Sequence, residues 1–146
     1  MERSPEKSID VLNSFLRGEM SAVETYRLAL NKLDQPAMRS SLQDCLRSHE
    51  ERVRVLSSHI RSIGGQPASE SGAWGTFAKL FEGGAAMLGD KATIAALEEG
   101  EDHGRDDYKR DLDKLDLDSR QLLEAQVIPQ QLRTHRALSD MKKSLH

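Results

Sequence analysis

Two glutamates and two histidines stand in matching surroundings along the 146-residue chain, and their side chains are of the kind that bind metal ions. Glu19 and Glu101 each follow a glycine and precede a tyrosine by seven residues, and they lie 82 residues apart. His49 and His135 each end a run of leucine, arginine and a hydroxyl residue, and they lie 86 residues apart. This self-similarity predicts a duplicated helical hairpin. Carboxylate oxygens and imidazole nitrogens gathered at one place suit iron, manganese or zinc.

Four amphipathic helices are expected to position these residues, because apolar side chains recur every three or four positions in four segments. The first helix should begin near Pro5 and end at residues 34–36, where Asp-Gln-Pro interrupts it. The second should stop at residues 64–65, two glycines. The third should begin at Asp90, and the fourth should follow the polar connection at residues 116–119. Each candidate ligand takes a place in the apolar stripe of its helix.

The expected fold is all-α, a four-helix bundle built from two antiparallel helical hairpins in a single domain over residues 1–146. Hairpin one should cover about residues 5–64, a long crossover about 65–89, and hairpin two about 90–145. Pro129 should kink the fourth helix or remove one of its hydrogen bonds. The composition agrees, since 31% of the residues are charged and only 4% are aromatic, which argues against a β-sandwich or barrel.

The four candidate ligands are expected at one height in the bundle. In an antiparallel hairpin, two residues equidistant from the turn lie level with each other. The midpoint of each glutamate–histidine pair falls inside a predicted turn, at positions 34 and 118. We therefore expect all four side chains to meet in one layer, well away from the helix ends.

The crossover should contain a short helix, because Trp74, Phe77 and Phe81 are spaced by three and four residues. A connection of this length can travel the height of a bundle, so helix three is expected to run parallel to helix two. The aromatic segment is expected to lie on the bundle as a packing strap. A docking surface for a partner is the alternative.

The composition also narrows the partners and the compartment. A net charge of −3, without a run of five like charges, gives no electrostatic case for binding nucleic acid. No apolar stretch is long enough to span a membrane, and the first residues lack the apolar core of a signal peptide. The single cysteine, Cys45, excludes an internal disulfide and fits a reducing compartment. We therefore expect a cytoplasmic protein.

Two motifs resemble those of the ferritin-like superfamily, especially its rubrerythrin and bacterioferritin branch. The spacing of Glu19, Ala22 and Tyr26 is similar to the first-helix motif of rubrerythrins, and residues 100–101 with Tyr108 resemble the third-helix motif. The chain also resembles an uncharacterised bacterial family of ferritin-like proteins known only as a domain of unknown function. The resemblance implies two hairpins, a long crossover and a site at mid-height.

The sequence departs from the dinuclear members of that superfamily at two equivalent positions. In those members, helices two and four each carry Glu-x-x-His, and the glutamates bridge two metal ions. Here the positions three residues before His49 and His135 hold Leu46 and Leu132. Leucine cannot bind a metal, so the usual dinuclear centre and its ferroxidase or peroxidase chemistry are not expected.

Three states of the site remain open. In the first state, the two glutamates and two histidines bind one metal ion, with Tyr26 and Tyr108 as hydroxyl groups around it. Alternatively, the same four residues form a metal-free buried network that holds the helices in register. In the third state other side chains complete a dinuclear site, and the candidates are Cys45 and Glu98.

Two functions follow from these states. The first is a metal-binding ferritin-like protein that acts in stress or redox physiology. The second is a non-catalytic bundle that works by association, for instance as a homodimer through its helix faces or the segment from Trp74 to Phe81. A nucleic-acid-protecting role has the least support, because the chain carries no basic tail.

Overall fold

The computed structural model describes residues 5–71 and 89–145, and within these ranges all regular structure is helical. Residues 5–71 and 89–145 form five α-helices and one short 3₁₀ turn: α1 (Pro5–Lys32), α2 (Pro36–Ser62), α3 (Asp90–Asp111), the 3₁₀ turn (Leu112–Lys114), α4 (Leu117–Gln126) and α5 (Ile128–Ser144). In the described part of the chain, no helix has the length and apolar character needed to cross a membrane.

The first hairpin, α1 and α2, ends where local signals predict. Pro36 opens α2 in the first turn, where its missing N–H costs no hydrogen bond. The guanidinium of Arg39 donates to the carbonyls of Leu30 and Leu33, which have no partner within the helix. At the other end, Gly64 has a φ of +88°, a conformation that favours glycine. The chain therefore leaves α2 at the predicted place.

The second hairpin joins α3 to a fourth helical column made of α4 and α5. The Asp116 carboxylate caps α4 by accepting a hydrogen bond from the N–H of Ser119 at 3.2 Å. The N–H of Asp116 donates to the hydroxyl of Ser8 in α1 at 2.8 Å, which fastens this turn to the first hairpin. The sequence predicted an interruption at Pro129. The structure has it two residues earlier, at Val127, between α4 and α5.

The start of the crossover runs along α1. The Asn13 amide donates to the carbonyl of Gln66 at 3.0 Å and accepts from the N–H of Ala68 at 2.7 Å. Further on, the hydroxyl of Ser71 contacts the carboxylate of Glu24. The chain therefore runs along α1 toward the end of the bundle that contains the α1–α2 turn. The predicted short helix from Trp74 to Phe81 lies outside the described residues.

The helix directions match the predicted four-helix bundle. Tyr26 of α1 contacts Glu101 of α3, and Tyr108 of α3 contacts Glu19 of α1, so the two helices are antiparallel. Because α1 is also antiparallel to α2, helices α2 and α3 run parallel, as predicted.

Two apolar clusters fill the core, and a polar layer separates them. The cluster toward the α1–α2 turn includes Ala22, Tyr26, Leu42, Cys45, Leu97 and Leu138. The cluster toward the opposite end includes Leu12, Leu16, Leu56, Ile60, Tyr108 and Leu123. The layer between them contains the candidate site.

Candidate functional site

Six polar side chains lie buried in the middle of the bundle, and each is 5% exposed or less. All four helical columns contribute: Glu19 from α1, His49 and Arg52 from α2, Glu101 from α3, and Gln131 and Thr134 from α5. Burial of charged groups is unfavourable unless they are paired and hydrogen-bonded. The contacts among these six side chains therefore decide whether the layer is stable and what it can bind.

His49 joins the two glutamates. Its Nδ1 lies 2.5 Å from Oε1 of Glu19, and its Nε2 lies 2.7 Å from Oε2 of Glu101. Both ring nitrogens need a proton to donate to carboxylates, which requires the imidazolium form. Burial and the nearby Arg52 lower the pKa of His49, but Glu101 and Glu19 outweigh them and leave that pKa above its ordinary value. The prediction that Glu19 and His49 lie level is confirmed.

Arg52 brings a permanent positive charge into the same layer, although none of its side chain reaches solvent. Its Nη1 donates to Oε2 of Glu19 at 3.3 Å, and its Nη2 donates to the hydroxyl of Thr134 at 2.8 Å. That hydroxyl donates in turn to Oε1 of Glu101, also at 2.8 Å. Burial lowers the pKa of Arg52, but Glu19 and Glu101 raise it above its ordinary value. The guanidinium therefore serves both glutamates, one directly and one through Thr134.

The two tyrosines donate crosswise between α1 and α3. The hydroxyl of Tyr26 lies 2.5 Å from Oε2 of Glu101, and that of Tyr108 lies 2.5 Å from Oε2 of Glu19. Burial, followed by the charge of the glutamate that each tyrosine contacts, raises both tyrosine pKa values well above the ordinary range. Both phenols therefore remain protonated donors to the two glutamates.

Both glutamates are ionised despite being buried. Burial raises the pKa of Glu101, but His49 and Arg52 outweigh it and bring that pKa down to about 2. In the same way, Arg52 and His49 overcome the effect of burial on Glu19 and lower its pKa. Two carboxylates, one imidazolium and one guanidinium thus face each other, and the charges of these four groups balance.

His135 does not join this layer, contrary to the sequence-based expectation. Its side chain is 21% exposed, and its Nε2 contacts the Asp102 carboxylate and lies 3.3 Å from Nη1 of Arg105. Thr134 and Gln131 face inward in its place, and the amide of Gln131 donates to the backbone carbonyl of Glu101 at 3.2 Å. Gln131 and Thr134 continue the buried stripe of Leu123 and Val127 at helical spacing, and His135 lies outside it.

A constant repeat interval would have found the inward residues of α5. The interval of 82 residues that relates Glu19 to Glu101 also relates His49 to Gln131 and Arg52 to Thr134. Matching His49 with His135 placed the repeat one helical turn too far along. Arg52 was missed for a different reason, since an arginine on a helix is ordinarily solvated. Its position three residues after His49, on the same helix face, was the available signal.

The two further candidate ligands lie outside the layer. Cys45 packs in the apolar cluster that contains Tyr26, and burial raises the pKa of its thiol to about 12. Glu98 accepts from the hydroxyl of Ser139 and the ammonium of Lys142, both at 3.2 Å, near the surface. Neither side chain completes a dinuclear arrangement with the buried glutamates.

The donor set does not fit a dinuclear metal centre. A metal ion binds an imidazole nitrogen through its lone pair, yet both nitrogens of His49 face carboxylates. The guanidinium of Arg52 lies against the carboxylate of Glu19, and its positive charge repels cations. Across residues 5–71 and 89–145, no group of three or more His, Cys, Asp or Glu side chains is placed to hold a metal ion.

The family of the chain is shown by residues 7–114, which match the family described as "Domain of unknown function (DUF2383)". The chain belongs to this family. The matched range covers nearly all of α1 and the whole of α2 and α3, and so includes the two tyrosines and both glutamates of the layer. No curated protein matches the sequence.

A solved structure shares the fold of this DUF2383 member. It is described as a crystal structure of ferritin-like, diiron-carboxylate proteins from Bacillus anthracis str. Ames, with a TM-score of 0.59 and 13% sequence identity. The match covers 99% of this chain and 91% of that chain. At this level of identity the likeness establishes the fold, and the DUF2383 member is a ferritin-like four-helix bundle.

A cavity of about 30 Å³ adjoins the polar layer of this DUF2383 member, between α1 and α3. Its inner wall includes Glu19, His49, Arg52, Glu101 and Gln131. Small residues line much of the remainder, namely Gly18 and Ala22 from α1 and Gly100 and Gly104 from α3. The layer is therefore buried but adjoins free space on one side.

Proposed function

We propose that this protein is a metal-independent ferritin-like bundle whose role is association, with no redox chemistry at its centre. The observation that supports metal independence is the position of Arg52. Its guanidinium lies within hydrogen-bond distance of Glu19, where a metal ion would otherwise meet the carboxylate. The buried arginine supplies the positive charge that buried carboxylates need.

The balance of charges in the layer favours a metal-independent network over a metal site. Glu19 and Glu101 are matched by His49 and Arg52, so the layer has no remaining demand for a cation. Binding a divalent ion would displace the proton of His49 and leave a net positive charge in the core. Arginine cannot relieve this excess, because it does not lose its proton in proteins.

Metal binding is the second candidate, and one observation favours it. Three of the predicted ligands, Glu19, His49 and Glu101, do converge, with ring nitrogens within 2.7 Å of carboxylate oxygens. A single iron, manganese or zinc ion would need Arg52 to leave the layer, and His135 would have to turn inward to complete the predicted set. The stress or redox role belongs to this second candidate.

Metal analysis separates the two candidates. The protein would be produced in media supplemented with iron, manganese or zinc, purified without chelator, and analysed for metal beside Glu101→Gln. We expect strongly substoichiometric metal in both proteins, and a thermal midpoint that EDTA does not change. One equivalent of metal in the wild type that is lost in Glu101→Gln would overturn the proposal.

The association itself is tested by sedimentation velocity over a wide range of protein concentrations. A homodimer is the simplest form of association, and large apolar side chains exposed on the helices, Leu28 and Leu132, are candidates for its surface. We expect a concentration-dependent dimer that Leu28→Ser or Leu132→Ser weakens. A monomer at every concentration would count against association as the role.

A further inference from the structure

The register between the two hairpins is not fixed by a short turn. Within each hairpin such a turn aligns the helices: residues 33–35 join α1 to α2, and residues 112–116 join α3 to α4. Between the hairpins, the start of the crossover is bonded to α1, and residues 72–89 connect it to α3. A connection of this length can follow a displacement of one helical turn, about 5.4 Å. Side chains that meet between the hairpins must therefore decide how they align.

The apolar clusters on either side of the polar layer discriminate weakly between registers. Ile94 and Leu97 of α3 share one cluster with Leu138 of α5 and Leu42 of α2. The opposite cluster is also largely aliphatic. Aliphatic side chains of similar volume can replace one another in a core at small cost. A shift of the second hairpin by one turn would therefore still pack aliphatic side chains against each other.

The polar layer discriminates strongly, because its partners come from both hairpins. Glu101 of the second hairpin lies 2.7 Å from Nε2 of His49 and 2.5 Å from the hydroxyl of Tyr26, both in the first. A shift of one turn in either direction would move Glu101 into an apolar cluster and leave His49 with one carboxylate. Buried charges without partners are highly unfavourable, so such a register is disfavoured.

Hydrogen bonds outside the layer also join the hairpins, but they involve serine hydroxyls. Ser8, Ser48 and Ser119 each contact a group of the other hairpin at 2.7–2.8 Å. A hydroxyl that loses its partner costs less than a buried charge that loses its own. The charged groups of the layer therefore dominate the choice of register.

We infer that the polar layer is a register lock, which selects one alignment of the two hairpins and adds little net stability. Replacing a whole buried ion network by apolar residues is often neutral or stabilising, whereas removing a single member is strongly destabilising. The inference goes beyond the proposed function, because metal independence and association place no requirement on how the hairpins align.

The test replaces the charged groups of the layer together with the hydroxyls that serve them. The apolar variant combines Glu19→Leu, Tyr26→Phe, His49→Leu, Arg52→Met, Glu101→Leu, Tyr108→Phe and Thr134→Val. We expect a urea midpoint equal to or above that of the wild type, and more than one set of amide signals in the ¹H–¹⁵N NMR spectrum. NOEs between the rings at positions 15 and 108, whose centroids lie 4.5 Å apart, should weaken, because a shift of one turn separates these rings.

A half-layer variant is the matched control. It keeps the contacts of Glu101 and removes the other carboxylate with two of its partners, through Glu19→Leu, Arg52→Met and Tyr108→Phe. The remaining charges of Glu101 and His49 still balance, so we expect one set of amide signals and the NOEs of the wild type.

Three results would overturn the inference. A single set of signals with wild-type NOEs in the apolar variant would show that the apolar clusters suffice to fix the register. Failure of the apolar variant to fold would show that the layer is needed for stability itself. Several sets of signals in the half-layer variant would show that core substitution alone causes the heterogeneity. None of these results depends on metal content or on dimer formation, so failure of the proposed function can be recognised separately.

Discussion

Arg52 and His49 lie three residues apart on α2 and supply the positive charge that two buried glutamates require. The role of Arg52 is different from that of a surface arginine, because its hydrogen bonds to Glu19 and Thr134 form out of contact with water. Removing one partner of such a network leaves the remaining charges uncompensated. Truncating one of these charged side chains should therefore lower the stability of the protein by more than the few hydrogen bonds lost would suggest.

Arg52→Ala should lower the free energy of unfolding by about 3–5 kcal/mol, because Glu19 and Glu101 would lose their permanent counter-charge. The matched control is Arg54→Ala, on the same helix, whose exposed side chain pairs with Glu51 at the surface. That change should cost about 0.5 kcal/mol or less. Urea denaturation measures both values, and equal losses would contradict the role given to Arg52.

The stability of the protein should fall on both sides of mildly acidic pH. The raised pKa of His49 contributes stability in full below its unfolded value of about 6.5, and that contribution is lost as the pH rises through the folded pKa. The lowered pKa of Glu101 contributes stability above its unfolded value of about 4.5, and that contribution is lost as the pH falls toward 2. These groups alone therefore place the plateau between about pH 4.5 and 6.5.

The pH dependence is measured from urea midpoints across the pH range, with His49→Gln as the comparison. Glutamine cannot titrate, so the decline above pH 6.5 should flatten in that variant. An identical alkaline decline in both proteins would show that another group is responsible.

At the scale of the helices, the sequence predicted the ends better than the rotation of each helix. Pro36, Gly64 and Asp90 act on the backbone next to them, so their positions were enough to place helix ends. The buried residues of the fourth column recur every three or four positions across the break, and Leu132 lies outside their stripe and is 54% exposed; they are Leu123, Val127, Gln131, Thr134 and Leu138. An apolar pattern alone did not reveal this face, because two of its buried residues, Gln131 and Thr134, are polar.

The difference between local signals and contacts between helices also explains which site residues could be predicted. Glu19 and Glu101 replace leucine in an apolar stripe, and that signal is readable in a single helix. The partners of Arg52 come from other helices, so they depend on how the columns rotate against one another. The sequence therefore identified the buried acids and one of the two buried cations, His49, and left Arg52 unassigned.

Thr134→Val tests the rotation of α5 directly. Valine has the shape of threonine but removes the hydroxyl that accepts from Arg52 and donates to Glu101, so about 1–3 kcal/mol of stability should be lost. His135→Ala, the neighbouring change, should cost about 1 kcal/mol or less, since its contact with Asp102 lies near the surface. Thermal or urea unfolding that gave the reverse order would mean that His135 faces the core.

Across the whole molecule, the two hairpins are related by a repeat whose interval is 82 residues. Tyr26 donates to Glu101, and Tyr108 donates to Glu19, so the two bonds exchange when the hairpins exchange. Arg52 contacts Thr134, the residue at its own equivalent position in the other hairpin. The bundle thus has the contacts of an approximate two-fold axis that passes through the polar layer.

This relation predicts that the guanidinium can be moved to the other hairpin. Arg52→Thr combined with Thr134→Arg should be more stable than the sum of the two single changes allows, with a coupling of about 1–3 kcal/mol. The relocated arginine would lie beside Glu101 much as Arg52 lies beside Glu19. A double-mutant cycle by urea denaturation measures the coupling, and simple additivity would contradict the two-fold relation.

The unequal distribution of charge between the hairpins has a consequence for how they recognise each other. The first hairpin carries both buried cations, His49 and Arg52, with one carboxylate, whereas the second carries Glu101 alone. The first half is therefore positive where they meet and the second is negative. Two copies of the first hairpin would bury like charges against each other, and so would two copies of the second. The charges of the polar layer thus favour pairing of a first hairpin with a second one and disfavour pairing of two identical hairpins.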